Sequence, residues 1–227
     1  MVVSHKKKSA TRAEQVEQKA PRKPVVDRRQ RRAVETRLNL FRCAVRLFAE
    51  RGFFNVTVEQ ITEAADVGKG TFFNYFESKD HVLGVLAEIQ IGKVQNALLA
   101  ARNDREAIRS VLASLVLSLA EEPGQSPELA RAVISSFLTS QAVRDLIEGF
   151  MRQGRDMISE IVATGQTRGE IDPLLDKDSL ALQLQRTVMG TILFWSLHGE
   201  PSLASSIRDG FQQFWRGVVP TSQEQKR

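Results

Sequence analysis

The sequence predicts an all-α protein: an N-terminal three-helix domain followed by a larger helical bundle. Three observations predict this. Apolar side chains recur three and four residues apart along most of the 227-residue chain, the period of helices that bury one face. Residues suited to start helices, Thr57, Ser78, Asp104, Ser126 and Ser202, stand just before apolar-periodic runs. No alternating stretch of useful strand length, no internal repeat and no heptad run occurs.

Composition sets outer limits. Hydrophobic residues make up 42% and charged residues 26%, ordinary for a globular protein. The single cysteine, Cys43, excludes an internal disulfide framework and, within an apolar helical pattern, reads as a buried structural thiol. The N-terminus is charged well past residue 30, unlike a secretory signal. The most apolar stretch, residues 188–197, is too short and too interrupted for a membrane span. The expectation is a cytoplasmic protein with no membrane contact. The net charge of +5 is lopsided: residues 1–37 carry +8 and the remainder −3.

Residues 1–27 hold Lys, Arg, Gln, Glu and Pro with few large apolar side chains, and read as a basic arm that is disordered when unbound. Residues 28–78 form the first domain. Its first helix starts between Asp27 and Arg37, presents Leu40, Phe41, Ala44, Val45 and Phe48 as its stripe, and ends at Gly52. Thr57 caps the second helix, with Gln60 three residues later to complete a capping box, and Val56 and Ile61 stand as a hydrophobic staple. Asp66, Val67 and Gly68 break that helix. The third starts after Gly68, turns Phe72 and Phe76 inward, and leaves Lys69, Gly70, Thr71, Phe73, Asn74 and Tyr75 outward.

Residues 79–219 form the second domain. Helix four begins after Ser78, with Val82, Leu86 and Ile89 and then Val94, Ala97 and Leu98 inward, and joins the two domains. Asp104 caps helix five, whose stripe is Ile108, Val111, Leu112, Leu115 and Leu119. Pro-Gly and Ser-Pro mark a loop at residues 121–127, and helix six follows from Ser126 through Leu129, Val133 and Phe137. Helix seven covers residues 141–167. A turn region over residues 165–178 ends in an Asp cap, and helix eight runs over residues 179–197, apolar nearly all round at its end. Helix nine covers residues 202–218, striped by Leu203, Ile207, Phe211, Phe214, Trp215 and Val218. Residues 220–227 are a polar tail.

Two short helices across a tight turn form a helix-turn-helix, whose second helix can enter a DNA major groove. The outward set suits that use. Lys69 can bond guanine or phosphate, Asn74 can bond adenine, and Thr71 can bond phosphate or touch a thymine methyl. Gly70 in a first helical turn costs propensity, which close approach of the backbone to DNA would justify. Lys79 places a cation at a helix N-terminus against the macrodipole, which a phosphate would explain. Arg28, Arg29, Arg31, Arg32 and Arg37 lie at or before helix one, where they can neutralise phosphates.

The run Leu47-Phe48-Ala49-Glu50-Arg51-Gly52, with Thr57-Val58-Glu59-Gln60-Ile61, Ala64-Ala65, Val67, Lys69-Gly70-Thr71, Phe73, Tyr75-Phe76 and Ser78-Lys79, resembles the DNA-binding domain of the TetR family of bacterial regulators. The match spans residues 36–86. Gly68 stands where the family often has Ser, and Phe73 where it often has Tyr. The Gly169-Glu170-Ile171 turn is of a kind often seen in the family's second domain. The resemblance implies a ligand-responsive regulator, by default a repressor. It implies a homodimer on a palindromic duplex operator, contacted by Thr57, Lys69, Gly70, Thr71, Phe73, Asn74, Tyr75 and Lys79, and an effector in the second domain that releases DNA.

Phe137, Phe150, Met151, Met157, Met189, Phe194 and Trp195 supply aromatic and flexible apolar surface for such an effector. Few ionisable residues interrupt them, so the expected effector is apolar or weakly anionic. Leu193, Leu197, Phe211, Phe214 and Trp215 are the expected dimer surface, because residues 188–197 are apolar on more faces than one bundle needs. Two other classes compete. An enzyme is disfavoured: His5, His81 and His198 are not spaced for a metal, and no phosphate loop, nucleophile elbow or CxxC pair occurs. No cofactor is expected. A helical adaptor binding only protein would not retard duplex DNA at low salt.

Overall fold

The structure, a computed structural model, describes Met1 and residues 28–220. The readings of residues 2–27 as a disordered arm and of residues 221–227 as a polar tail lie outside the described residues. Among these, the chain forms nine α-helices and no strand: α1 Arg28–Arg51, α2 Val58–Ala64, α3 Lys69–Phe73, α4 Lys79–Arg102, α5 Ile108–Leu119, α6 Pro127–Thr139, α7 Gln141–Thr167, α8 Lys177–His198 and α9 Leu203–Arg216. The predicted all-α architecture is the observed one.

Local chemistry sets most boundaries. α1 stops where Gly52 adopts φ 80°, a left-handed conformation that glycine takes without steric cost. The chain then doubles back, and buried Phe53 meets Phe48 edge-on at 4.9 Å. The Thr57 capping box forms as the sequence predicts: Thr57 Oγ1 accepts from the Gln60 N–H at 3.3 Å, and Gln60 Oε1 accepts from the Thr57 N–H at 3.0 Å. The hydroxyls of Ser126, Ser140 and Ser202 cap α6, α7 and α9.

Two caps differ from the sequence reading. Asp104 does not cap α5; it pairs with Arg168 at 2.5 Å. The α5 cap comes from 62 positions away, where the Glu170 carboxylate accepts from the Ile108 N–H at 2.8 Å. The Gly169-Glu170-Ile171 turn makes this reach possible. Ile171 is fully buried, and a Cβ on Gly165 would stand 2.8 Å from it. Glycine at position 165 therefore lets the turn close over the core. Likewise α8 starts two residues earlier than the 165–178 turn reading: Asp176 caps it, accepting from the Ser179 N–H at 2.8 Å. Asp178 is instead engaged by the Ser159 hydroxyl of α7.

The buried side chains fall into two clusters, and their division does not follow the chain boundary between residues 78 and 79. The first cluster joins α1–α3 to Val82, Leu83, Val85 and Leu86 of α4, and to Leu129, Ala132, Val133 and Val143 of α6 and α7. The second joins the far half of α4 to α5, α7, α8 and α9. α4 is the one described helix long and apolar enough by composition to cross a membrane, a property the sequence reading gave to no segment. More than half of its most apolar window is buried against other helices, which accounts for the apolarity.

Candidate nucleic-acid interface and ligand cavity

α2 and α3 are set against α1 by polar contacts as well as by the core. Asn39 Nδ2 donates to the Ala65 carbonyl at 3.0 Å, and Cys43 Sγ lies 3.3 Å from the Ala64 carbonyl. Two α1 side chains thus occupy the carbonyls that end α2. Cys43 is half-buried and takes this structural part. The turn that follows has Asp66 at φ 53°, a left-handed position that Asp tolerates better than most residues. Phe72 is fully buried, 5.3 Å from Phe76, and holds α3 on the core.

The opposite face of α3 is open. Lys69, Gly70, Phe73 and Asn74 are exposed, Phe73 by 50%, while Thr71 and Tyr75 are half-buried. A Cβ on Gly70 would meet nothing within 4 Å, so no contact inside the chain requires the glycine. The Lys69 ammonium pairs with Glu59 of α2, and this hydrogen bond holds the Glu59 carboxyl below its ordinary pKa. Both partners are largely exposed, and water and salt screen such a pair, so a phosphate can displace Glu59.

Two expected DNA contacts are placed differently. Lys79 donates to the carbonyls of Phe53 at 2.7 Å and Val56 at 2.9 Å, and lies 4.5 Å over the Phe53 ring. These partners, with no phosphate, account for a cation at the start of α4. Burial lowers its pKa. Arg37 is half-buried and bidentate to Glu88 of α4, which raises the guanidinium pKa. Its sequence position among arginines gave no sign of that partner. Arg28, Arg29, Arg31 and Arg32 are exposed along the first turns of α1.

A cavity of about 170 Å³ lies between α4, α5, α6, α7 and α8. Phe137, Phe150, Met151 and Met189 line it, as do Leu86, Val133 and Ile147. Met157, Phe194 and Trp195 do not. Met157 packs against the second core cluster. Trp195 is buried there, with its indole N–H donating to the Gly199 carbonyl at 3.0 Å. Phe194 is 68% exposed, because it is two residues beyond Ile192, which lines the cavity, and two helical residues turn the side chain about 200°. Among the described residues, no charged side chain lines the cavity; its polar residues are Gln90 and Gln185. The sequence reading missed Gln90, whose signal was a single amide between Ile89 and Ile91.

The expected dimer surface divides. Leu193 and Leu197 are exposed on α8, by 40% and 56%, next to Phe194. Phe211 and Trp215 are buried in the protein's own core, their rings tilted by 31° with centroids 6.0 Å apart, and Phe214 is half-buried against it. The α9 stripe serves the bundle before any partner. Among the described residues, no group of three His, Cys, Asp or Glu could hold a metal ion.

Residues 40–86 match the family model described as bacterial regulatory proteins, tetR family, and residues 128–211 match the tetracyclin repressor-like C-terminal domain. Together they span more than half of the chain. The HTH-type transcriptional regulator TcmR of Streptomyces glaucescens is 43% identical over 79 residues, 35% of this chain and 33% of that protein, so the chain spans only about a third of TcmR's length. The HTH-type transcriptional repressor DhaR of Mycobacterium sp. (strain GP1) is 26% identical over 162 residues, 69% of this chain and 80% of that protein. FadR from Bacillus subtilis, solved with stearoyl-CoA, superimposes with a TM-score of 0.68 at 18% identity, covering 80% of this chain and 98% of that one. The SmeT–triclosan complex gives 0.69 at 18%, covering 83% and 93%, and shares the fold. With the helix-turn-helix and the C-terminal domain both matched, in that order and on that fold, the chain belongs to the TetR family of transcriptional regulators.

Proposed function

We propose that this regulator binds a palindromic DNA operator as a homodimer in the cytoplasm, represses transcription there, and releases DNA when a small molecule enters the α4–α8 cavity. One observation carries the reading. Leu86 and Val133 line the cavity and also belong to the buried core of the helix-turn-helix domain, while Phe137 and Ile147 line it and pack against that core. A molecule that changes the cavity's shape therefore presses on the core that orients α3. The link runs through α6 as well as α4, since Val133 and Phe137 are on α6. The coupling needed is modest, typically about 1–3 kcal/mol.

In this reading Thr57, Lys69, Gly70, Thr71, Phe73, Asn74 and Tyr75 face the DNA, and Arg28, Arg29, Arg31 and Arg32 neutralise flanking phosphates. Leu193, Phe194 and Leu197 of α8 form the centre of the dimer contact. The stearoyl-CoA of FadR and the triclosan of SmeT support a small-molecule effector, and DhaR's name supports repression. The test is selection of bound duplexes from a random-sequence pool, followed by sequencing. The expected product is an inverted repeat whose half-sites lie about 34–36 Å apart, or a multiple of that. Recovery of single, unpaired half-sites would overturn the dimeric reading.

A further inference from the structure

We infer that the effector is an uncharged, mainly apolar molecule carrying one hydrogen-bond donor, which the Gln90 side-chain oxygen accepts. This rests on the cavity being the effector site. Gln90 is on α4, on the cavity wall. Its amide nitrogen donates to Glu122 Oε2 at 2.9 Å. A carboxylate only accepts, so this bond fixes which way the amide faces. Oε1 is left buried and without a partner in the protein, and among the described residues it is the only buried side-chain nitrogen or oxygen so placed. A buried acceptor left unbonded is destabilising, so a ligand whose donor reaches Oε1 by a small shift of the side chains covering it recovers a bond the empty protein lacks.

Gln185 offers no such opening. Its nitrogen donates to the Met151 carbonyl at 3.0 Å, and its oxygen accepts from Arg155 at 3.2 Å. Donor recognition therefore concentrates at one atom of one helix, the helix that leads into the DNA-reading core.

Charge disfavours an anion here, against the sequence expectation that a weak anion would fit. Among the described residues, no cation lines the cavity. Behind Gln90, Lys93 is shared between Glu121 at 3.0 Å and Glu122 at 2.6 Å, leaving the pair of carboxylates in excess. A ligand carboxylate near Gln90 would face an acceptor backed by negative charge. Size narrows the class further. About 170 Å³ is close to the roughly 150 Å³ of a dry apolar cavity that holds benzene, so one ring with a short side chain matches the space.

Calorimetry on the full chain with four probes tests this: para-propylphenol, its methyl ether, propylbenzene and para-propylbenzoate. The phenol should bind about tenfold more tightly than the ether or the hydrocarbon, the gain of one net hydrogen bond. The benzoate should bind most weakly. Gln90→Met should equalise phenol and hydrocarbon. The comparison in the unaltered protein stands even if that variant fails to fold. Equal binding of phenol and hydrocarbon, or preference for the benzoate, overturns the role of Gln90 and leaves the cavity reading intact. No binding by any probe overturns both.

Discussion

Arg37 of α1 holds Glu88 of α4 across 51 positions by two hydrogen bonds of 2.8 and 2.7 Å. The same guanidinium lies 5.7 Å over the Phe76 ring at the end of the recognition segment. One side chain thus ties the first helix, the recognition segment and the cavity-lining helix together, since Ala87 and Gln90 beside Glu88 face the cavity. Held this way, the guanidinium is expected to stay on Glu88 when DNA binds. Arg37→Gln should leave the slope of log K against log salt unchanged for duplex DNA. A slope shallower by about 1.8 per dimer, two phosphates at about 0.9 each, would show that Arg37 leaves Glu88 when DNA binds.

Gly70→Ala separates stability from recognition. Its Cβ would enter open space, so the folded chain gains helix propensity of up to about 1 kcal/mol and the melting temperature should hold or rise. In the proposed docking of α3 the methyl group would occupy the approach of the DNA backbone, so operator affinity should fall at least tenfold. Unchanged affinity in a titration of labelled operator would place α3 away from DNA.

The arginines at the start of α1 predict a different signature. Replacing Arg28, Arg29, Arg31 and Arg32 together by Ala should weaken binding to operator and random duplex alike. The salt slope should become shallower and the ratio between the two affinities should be nearly preserved, since phosphate contacts position without choosing sequence. A selective loss on the operator would mean that one of these arginines reads bases.

The exposed patch on α8 and the buried stripe of α9 respond differently to substitution. Leu193→Glu puts a charge on an exposed position, so the chain should fold and its mass by light scattering should fall to that of one chain. Trp215→Ala empties buried volume and should cost about 3–5 kcal/mol of stability, whatever the oligomeric state. A Leu193→Glu protein that keeps the dimer mass would move the interface off α8.

Helix boundaries were legible where their cause is local. Thr57 with Gln60, Ser126 and Gly52 each act within a few residues, and the periodicity of residues 141–167 marks α7 from end to end. The failures share a cause. Asp104 and Asp178 look like caps in the sequence, but Arg168 and Ser159, distant along the chain, engage them. Lys79 and Arg37 read as phosphate ligands because the carbonyls of Phe53 and Val56 and the carboxylate of Glu88 have no sequence signature. Periodicity shows that Phe211 and Trp215 lie on a buried stripe, and it cannot tell a stripe against the protein's own core from one against a second copy. Gln90 was hidden by its type: one amide in an apolar run reads as an interruption of the stripe.

The sharing of Leu86 and Val133 between the cavity wall and the N-terminal core divides the cavity into two kinds of wall. On the α7–α8 side, Phe150, Met151 and Met189 belong to neither buried cluster, so resculpting them for a different compound leaves the helix-turn-helix packing untouched. At Leu86 and Val133, by contrast, a change of shape also bears on the core beneath the helix-turn-helix. A biosensor retuned from this scaffold would take its new chemical selectivity from the first wall and its dynamic range from the second.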